Sequence, residues 1–300
     1  MQVVDRDWLI RQYAFRFIED LVTRHGDLLP FRDLQRGFEF DGEQITVAGM
    51  RGIWKPQGLA LPISIRTGIT DPYGDEIGTD GYLAYRYFQQ NPSHPDNAGL
   101  RTCMRETRPL IYLQAVAEGR YVAVWPMFIV ADDPGSLTFT AACDDPAIVE
   151  QSAPIGVSED ARRHYSAHVA VTRLHQAKFR QRVLTAYRKS CSVCRLKHEG
   201  LLDAAHILPD RHERGDPVVP NGLSLCKIHH AAFDTNILGI RPDHVVEIRS
   251  DILLEHDGPM LRHGLQDLHG APLMVVPRRD TERPDPERLE ARYEQFRAAG

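Results

Sequence analysis

The chain has 300 residues, 42% of them hydrophobic, 26% charged and 8% aromatic, which excludes the disordered and fibrous classes and leaves room for a sizeable core in two domains. No apolar run approaches the roughly 18 residues of a membrane-crossing helix. The first residues, MQVVDRDW, are acidic where a secretory leader would be basic and then apolar, so the expectation is a cytoplasmic protein with no membrane partner. The net charge of −5 conceals an asymmetry: residues 161–249 hold 15 Lys and Arg against 8 Asp and Glu, a balance of +7, while the remainder stands at −12. A polyanion would be met by that basic segment.

Residues 5–25 predict an amphipathic helix, with Leu9, Tyr13, Phe17 and Leu21 recurring at i+4 and Trp8, Ile18 and Val22 beside them. From about Glu39 the pattern changes to short strands, at 45–47, 61–65, 82–88, 110–116, 121–130 and 137–142, with Gly and Pro between them. Such a series predicts a curved sheet or small barrel. Residues 90–99, with two prolines, read as a long loop. After Pro154-Ile155-Gly156 the composition shifts. Ser158 is a candidate N-cap for a long basic helix to about Tyr187, with Phe179, Val183, Leu184 and Tyr187 along one side. The expected domains are therefore 1–150 and 151–300, with a compact Cys/His region at 188–250, an apolar strand at 272–276 and a short helix at 286–298.

Cysteine spacing points to a metal. Cys103 and Cys143 stand alone, whereas Cys191-Ser-Val-Cys194 forms one two-residue knuckle and Cys226-Lys-Ile-His229 a second. Three thiolates and one imidazole complete a tetrahedral Zn²⁺ shell with no open position, which is a structural site, in a chain whose odd cysteine count argues against a disulfide framework. A second polar set remains: His206 at the end of a short strand-like segment, Asn221, and His230 with Asp234 four residues on. On a helix the last two face one way, as an imidazole and a carboxylate for a divalent cation, with His206 opposite as a base.

The pattern His206 … Asn221 … His230 resembles the HNH, or ββα-metal, endonucleases. Its spacing is similar to that of the nuclease colicins, with Asp234 where those enzymes carry a third histidine. The words FRQRVLTAYRKSCSVC, DAAHILP and NGLSLCKIHHAAFD resemble the bacterial restriction-endonuclease branch of the family, over roughly residues 175–250. The resemblance implies that His206 deprotonates the attacking water, that Asn221 orients the loop and the His206 ring, and that His230 and Asp234 hold one Mg²⁺ or Mn²⁺ ion against the scissile phosphate. Ala205 stands where many such enzymes place a further ligand. Either two protein ligands suffice, or Asp203 reaches in.

The N-terminal half carries a weaker likeness. Tyr73, Asp75, Glu76 and Tyr85 lie at offsets similar to those of SRA domains, which flip 5-methylcytosine into a pocket of rings and carboxylates. Those domains have Asp where this chain has Glu76, so Asp75 or Asp80 would serve instead. The alternative is a plain strand, with Tyr82, Phe88 and alternate neighbours on a core face. The sequence thus predicts an α+β protein: an SRA/PUA-like curved β-barrel domain with flanking helices, then a ββα-metal HNH domain with a Cys3His zinc site. The expected function is modification-dependent cleavage of double-stranded DNA by a homodimer. The alternatives are an HNH enzyme acting on unmodified or otherwise modified DNA, or a non-catalytic zinc-containing DNA-binding protein.

Overall fold

The computed structural model describes residues 5–69, 77, 82–143 and 159–299, with side chains in the last segment from Val169 onward. The chain divides into two compact units, Met1–Ala177 and Lys178–Gly300. Tyr73, Asp75, Glu76, Asp80 and the expected N-cap Ser158 lie outside the described residues.

The first unit opens with helix α1 (Arg6–His25), capped by the Asp5 side chain on the Asp7 amide and ended at Gly26, whose φ of 69° only glycine adopts easily. Its buried face differs from the predicted stripe. Ile10, Ala14, Ile18 and Leu21 are buried, while Tyr13 is exposed. The rotation follows from Arg11, fully buried, whose guanidinium donates to the Pro62 and Pro109 carbonyls at 2.9 and 2.7 Å and pairs with Asp7. Strand β1 (Leu29–Pro30), helix α2 (Phe31–Arg36), the hairpin of β2 (Phe38–Phe40) with β3 (Glu43–Ile45), and strands β4 (Ile53–Trp54), β5 (Ser64–Thr67) and β6 (Tyr82–Arg86) follow.

The expected loop at 90–99 instead runs into helix α3 (Pro95–Arg105). Proline at the first helical position lacks an amide the helix would leave unbonded anyway, and the His94 ring accepts from the Asp96 amide in place of a usual cap. Then come β7 (Leu110–Ala117), β8 (Arg120–Asp133) and β9 (Thr138–Cys143).

These strands build a seven-stranded sheet in the order β4-β5-β7-β8-β9-β6, with β1 also on β8 and β5 parallel to β7. Register shifts at Leu110/Tyr112 and Ile129/Ala131 put bulges in the long β7–β8–β9 ladder, and bulges curl a sheet. The result is a curled half-barrel. Alternation along β7 serves two cores: Ile111 and Leu113 pack with α1, and Tyr112 packs with Ile65, Val124, Tyr85 and Phe139.

Helix α4 (Glu159–Ala186) places Ala170, Leu174 and Ala177 in the first unit's cores and, from Lys178 on, belongs to the second. The compact units therefore part inside this helix, 27 residues beyond the boundary expected at 150. In the second unit, Phe179, Val183, Leu184 and Tyr187 pack against the antiparallel hairpin β10 (Leu202–His206) and β11 (Gly222–Cys226). Helix α5 (Lys227–Asp234) follows directly, then the hairpin β12 (Leu238–Ile240) and β13 (Val246–Ile248), helices α6 (Ser250–Leu254) and α7 (Pro259–Gly264), and the final helix α8 (Pro286–Ala298). The strand expected at 272–276 does not form. Pro272 makes one bridge with Val245, the Leu273 amide donates to the His244 carbonyl, and the Val275 amide turns to the Ser192 carbonyl, so the segment is shared between two neighbours. Among the described residues no helix is long and apolar enough to cross a membrane.

Candidate active site

The two knuckles meet. Sγ of Cys191, Cys194 and Cys226 and Nδ1 of His229 all lie within 4.8 Å of one another. Separations run from 3.1 Å (Cys226–His229) through 3.5 Å (Cys191–His229) to 4.0 Å (Cys194–Cys226). Zn–S bonds of about 2.3 Å and Zn–N bonds of about 2.0 Å give tetrahedral edges of roughly 3.5–3.8 Å, so the donor set fits Zn²⁺. His229 Nε2 lies 2.8 Å from the Gly264 carbonyl, a bond that fixes the tautomer and leaves Nδ1 for the metal. Burial would hold the His229 imidazole down, yet its hydrogen bonds to Cys191 and Cys226 push it up to about 10. Three thiols and an imidazole brought this close are a cluster of donors that a cation would satisfy.

The second set converges on the β10–β11 hairpin and α5. His206 closes β10 opposite Gly222 and stacks on Phe179, with ring centroids 4.0 Å apart. Its Nε2 is enclosed and 3.0 Å from Asp210 Oδ1. Burial pushes the imidazole below its ordinary value, against the opposing pull of Asp210 and with His230 and Asp234 near enough to act on it. On α5, His230 Nε2 lies 3.3 Å from Asp234 Oδ2, as the i, i+4 spacing requires. Two such donors fit adjacent positions around a Mg²⁺-sized ion, whose octahedral edge is roughly 3 Å.

Asp203 is on the other side of His230. Its carboxylate lies 3.5 Å from His230 Nδ1, 3.6 Å from Arg180 Nε, and in contact with Lys227. The hydrogen bond from His230 is foremost in holding Asp203 below the usual carboxylate range, and the same bond pushes His230 up. Asp203 faces the ring nitrogen of His230 away from Asp234, a place from which a carboxylate can orient a ligating histidine.

Asn221 is fully buried, and it binds backbone alone: its Oδ1 accepts from the Leu208 amide at 2.9 Å, and its Nδ2 donates to the Leu208 and Asp216 carbonyls at 2.9 and 3.1 Å. It therefore closes the loop after His206, while the ring itself stacks on Phe179 with Asp210 beside it. Sequence reading placed Phe179 only on a packing face and passed over Asp210. The four-residue spacing from His206 was the signal that could have found it.

In the first unit, Tyr85 is buried among Leu83, Phe139 and Ile129, its hydroxyl 3.5 Å from the Arg66 carbonyl. The core face of β6 is Leu83 and Tyr85, and the expectation that Tyr82 lies on it is corrected: Tyr82 is exposed. The basic helix is largely committed to its own fold. Arg173 pairs with Asp27, Arg180 donates to the Leu202 carbonyl, Arg182 to Pro217, Arg188 to Val276, and Lys189 pairs with Glu199.

The segment is thus a hairpin followed by a helix, with histidine at the end of the first strand and a His/Asp pair on the helix, beside a Cys3His cluster. Residues 191–241 match a family model described as HNH endonuclease. No curated protein matches the chain significantly. Among solved structures it is similar to "Modification dependent TagI restriction endonuclease", at 16% identity and a TM-score of 0.33 over 78% of this chain and 81% of that one, a likeness too loose to define a common fold.

Proposed function

We propose that the protein is a DNA endonuclease that hydrolyses phosphodiester bonds at the His206/His230/Asp234 site, directed to DNA carrying a modified cytosine by its N-terminal unit. The observation that carries the reading is the convergence of a partly buried imidazole and a His/Asp pair on one ββα framework. With Nε2 turned to Asp210, His206 offers Nδ1 to take the proton of the attacking water. Burial keeps that imidazole neutral at neutral pH, the state a base needs. His230 Nε2 and Asp234 are the ligands for Mg²⁺ or Mn²⁺, with Asp203 holding the His230 ring. Such an ion, when bound, neutralises charge building on the phosphate and the leaving oxygen. Cutting both strands with one site per chain favours a homodimer. The modified base is assigned to a pocket of Tyr73, Asp75, Glu76 and Tyr85 on the strength of the sequence offsets.

The test is cleavage of one plasmid, prepared with and without cytosine methylation, with and without added Mg²⁺ or Mn²⁺. Metal-dependent cutting of the methylated form alone supports both halves of the reading. Equal cutting of both forms overturns the reader and keeps the nuclease, and no cutting of either overturns the reading as stated. His206→Ala should lower cleavage by about 10²–10⁴-fold while DNA binding and zinc content persist.

A further inference from the structure

Helix α8 begins 45 residues beyond the end of the matched segment 191–241, yet it touches both halves of the site that segment carries. At its N-terminal end the Asp285 amide donates to the Pro220 carbonyl at 3.0 Å, Arg288 lies 3.5 Å from Asp216, and Glu287 pairs with Arg214 at 3.0 Å. Those partners belong to the loop that Asn221 closes. At its other end Arg292, 8% exposed, donates to the Phe233 carbonyl and to Asn236 Oδ1, with its guanidinium carbon 4.6 Å over the Phe233 ring. Phe296 packs so closely on Gly239 that a Cβ there would meet the ring at 2.6 Å.

We propose that Arg292 is a positioning residue for the cation-binding pair, and that α8 is a strap holding the two halves of the site in register. The inference rests on the nuclease reading of His230 and Asp234. Helix α5 has eight residues, and Asp234 is the last of them. A helix that short is marginal by itself, and its final carbonyls are taken from outside it: the Thr235 amide donates to Ala231, that of Ile237 to Ala232 and that of Asn236 to Phe233. Asp234 closes the last turn, one turn from the histidine it must match, and is held there by the residues just past the helix end. The forked guanidinium binds one acceptor immediately before Asp234 and another two residues after it, and a cation suits a helix C-terminus. An apolar side chain would anchor α8 as well, so burying a charge there has its use in fixing the backbone around Asp234.

The experiment compares wild type, Arg292→Lys and Arg292→Met. It measures hydrogen–deuterium exchange across residues 230–236 with no divalent ion added, and Mn²⁺ affinity by electron paramagnetic resonance. Zinc content and melting temperature report whether the fold is kept. Expected is faster exchange in α5 and Mn²⁺ binding weakened on the order of 10–100-fold in the Met variant, the scale for partners of metal ligands, with Lys between the two. A folded, zinc-loaded Met variant with wild-type exchange and affinity overturns the proposal. Should the Met variant fail to fold, Asn236→Gly reads the same contact, because Asn236 sits at φ 56°, where glycine is at ease. Unchanged exchange and affinity there likewise overturn it. If wild type binds no Mn²⁺ that His230→Ala removes, the nuclease reading fails, and exchange in α5 alone decides the strap.

Discussion

Gly222→Ala separates packing from backbone effects at the centre of the site. Gly222 is extended, at φ −128° and ψ 142°, so alanine fits its backbone and the only obstacle is steric. A Cβ there would lie 2.4 Å from Val183 Cγ2 and 3.0 Å from Phe179 Cζ, whereas ordinary contacts begin near 3.4 Å. The helix must therefore back away from the hairpin by about 1 Å, an overpacking that costs about 1–3 kcal/mol. Against this, alanine restricts the unfolded chain and returns about 0.4–1 kcal/mol, leaving a net loss of roughly 0–2.6 kcal/mol. The same displacement moves Phe179, on which His206 stacks, so turnover should fall while DNA binding holds. The assay is urea unfolding together with kcat, for Gly222→Ala, Val183→Ala and the double variant. Removing the Val183 methyls opens the space the new Cβ needs, so the double variant should lose less than the two single losses combined, by about 1 kcal/mol. Strict additivity, or Gly222→Ala with wild-type stability and turnover, would refute the reasoning.

Asp210→Asn removes the charge that opposes burial at His206, so the imidazole should fall further below its ordinary value. On the proposed mechanism the neutral ring is the base, and activity falls as pH drops through its pKa; the acid limb of the pH–rate profile should therefore move to lower pH, and a shift to higher pH would contradict the assignment. Cys191→Ser takes one thiolate from a buried shell whose metal binding is folding free energy, so bound zinc and melting temperature should fall together. An unchanged melting temperature on zinc analysis of the variant would argue against a structural ion.

The parts of the site legible in the sequence are those governed by local periodicity. His230 and Asp234 share a face because α5 is helical, and the Cys191/Cys194 and Cys226/His229 knuckles converge because β11 runs directly into that helix. Contacts between elements distant in sequence were not legible. Asp203 could be placed near His230, but which ring nitrogen it faces depends on the β10–β11 register that sets it opposite Leu225. The Phe179 stack and the Arg292 anchor join residues 27 and 59 positions from their partners, His206 and Phe233, and no spacing rule reaches that far. In the first unit, the i+4 stripe of α1 misled because it counted Tyr13 as core and had no place for a buried Arg11.

The module is too small to hold itself together, and this explains why its supports surround it. Its hairpin has five residues to a strand and its helix eight, both marginal as isolated units. The Cys3His cluster ties the first turn of α5 to the hairpin and the preceding knuckle, α4 backs the strands through Phe179 and Val183, and Arg292 holds the far end of α5. These supports are buried, apart from the partly exposed Cys194, whereas the side chains of His206, His230 and Asp234 remain 21%, 26% and 61% exposed. Surface able to meet a phosphate is surface that contributes little packing, so stability has to come from residues that never touch it. It follows that substitutions at His206 or Asp234 should lower turnover steeply with little effect on unfolding, whereas substitutions at Cys191, Gly222 or Arg292 should weaken both.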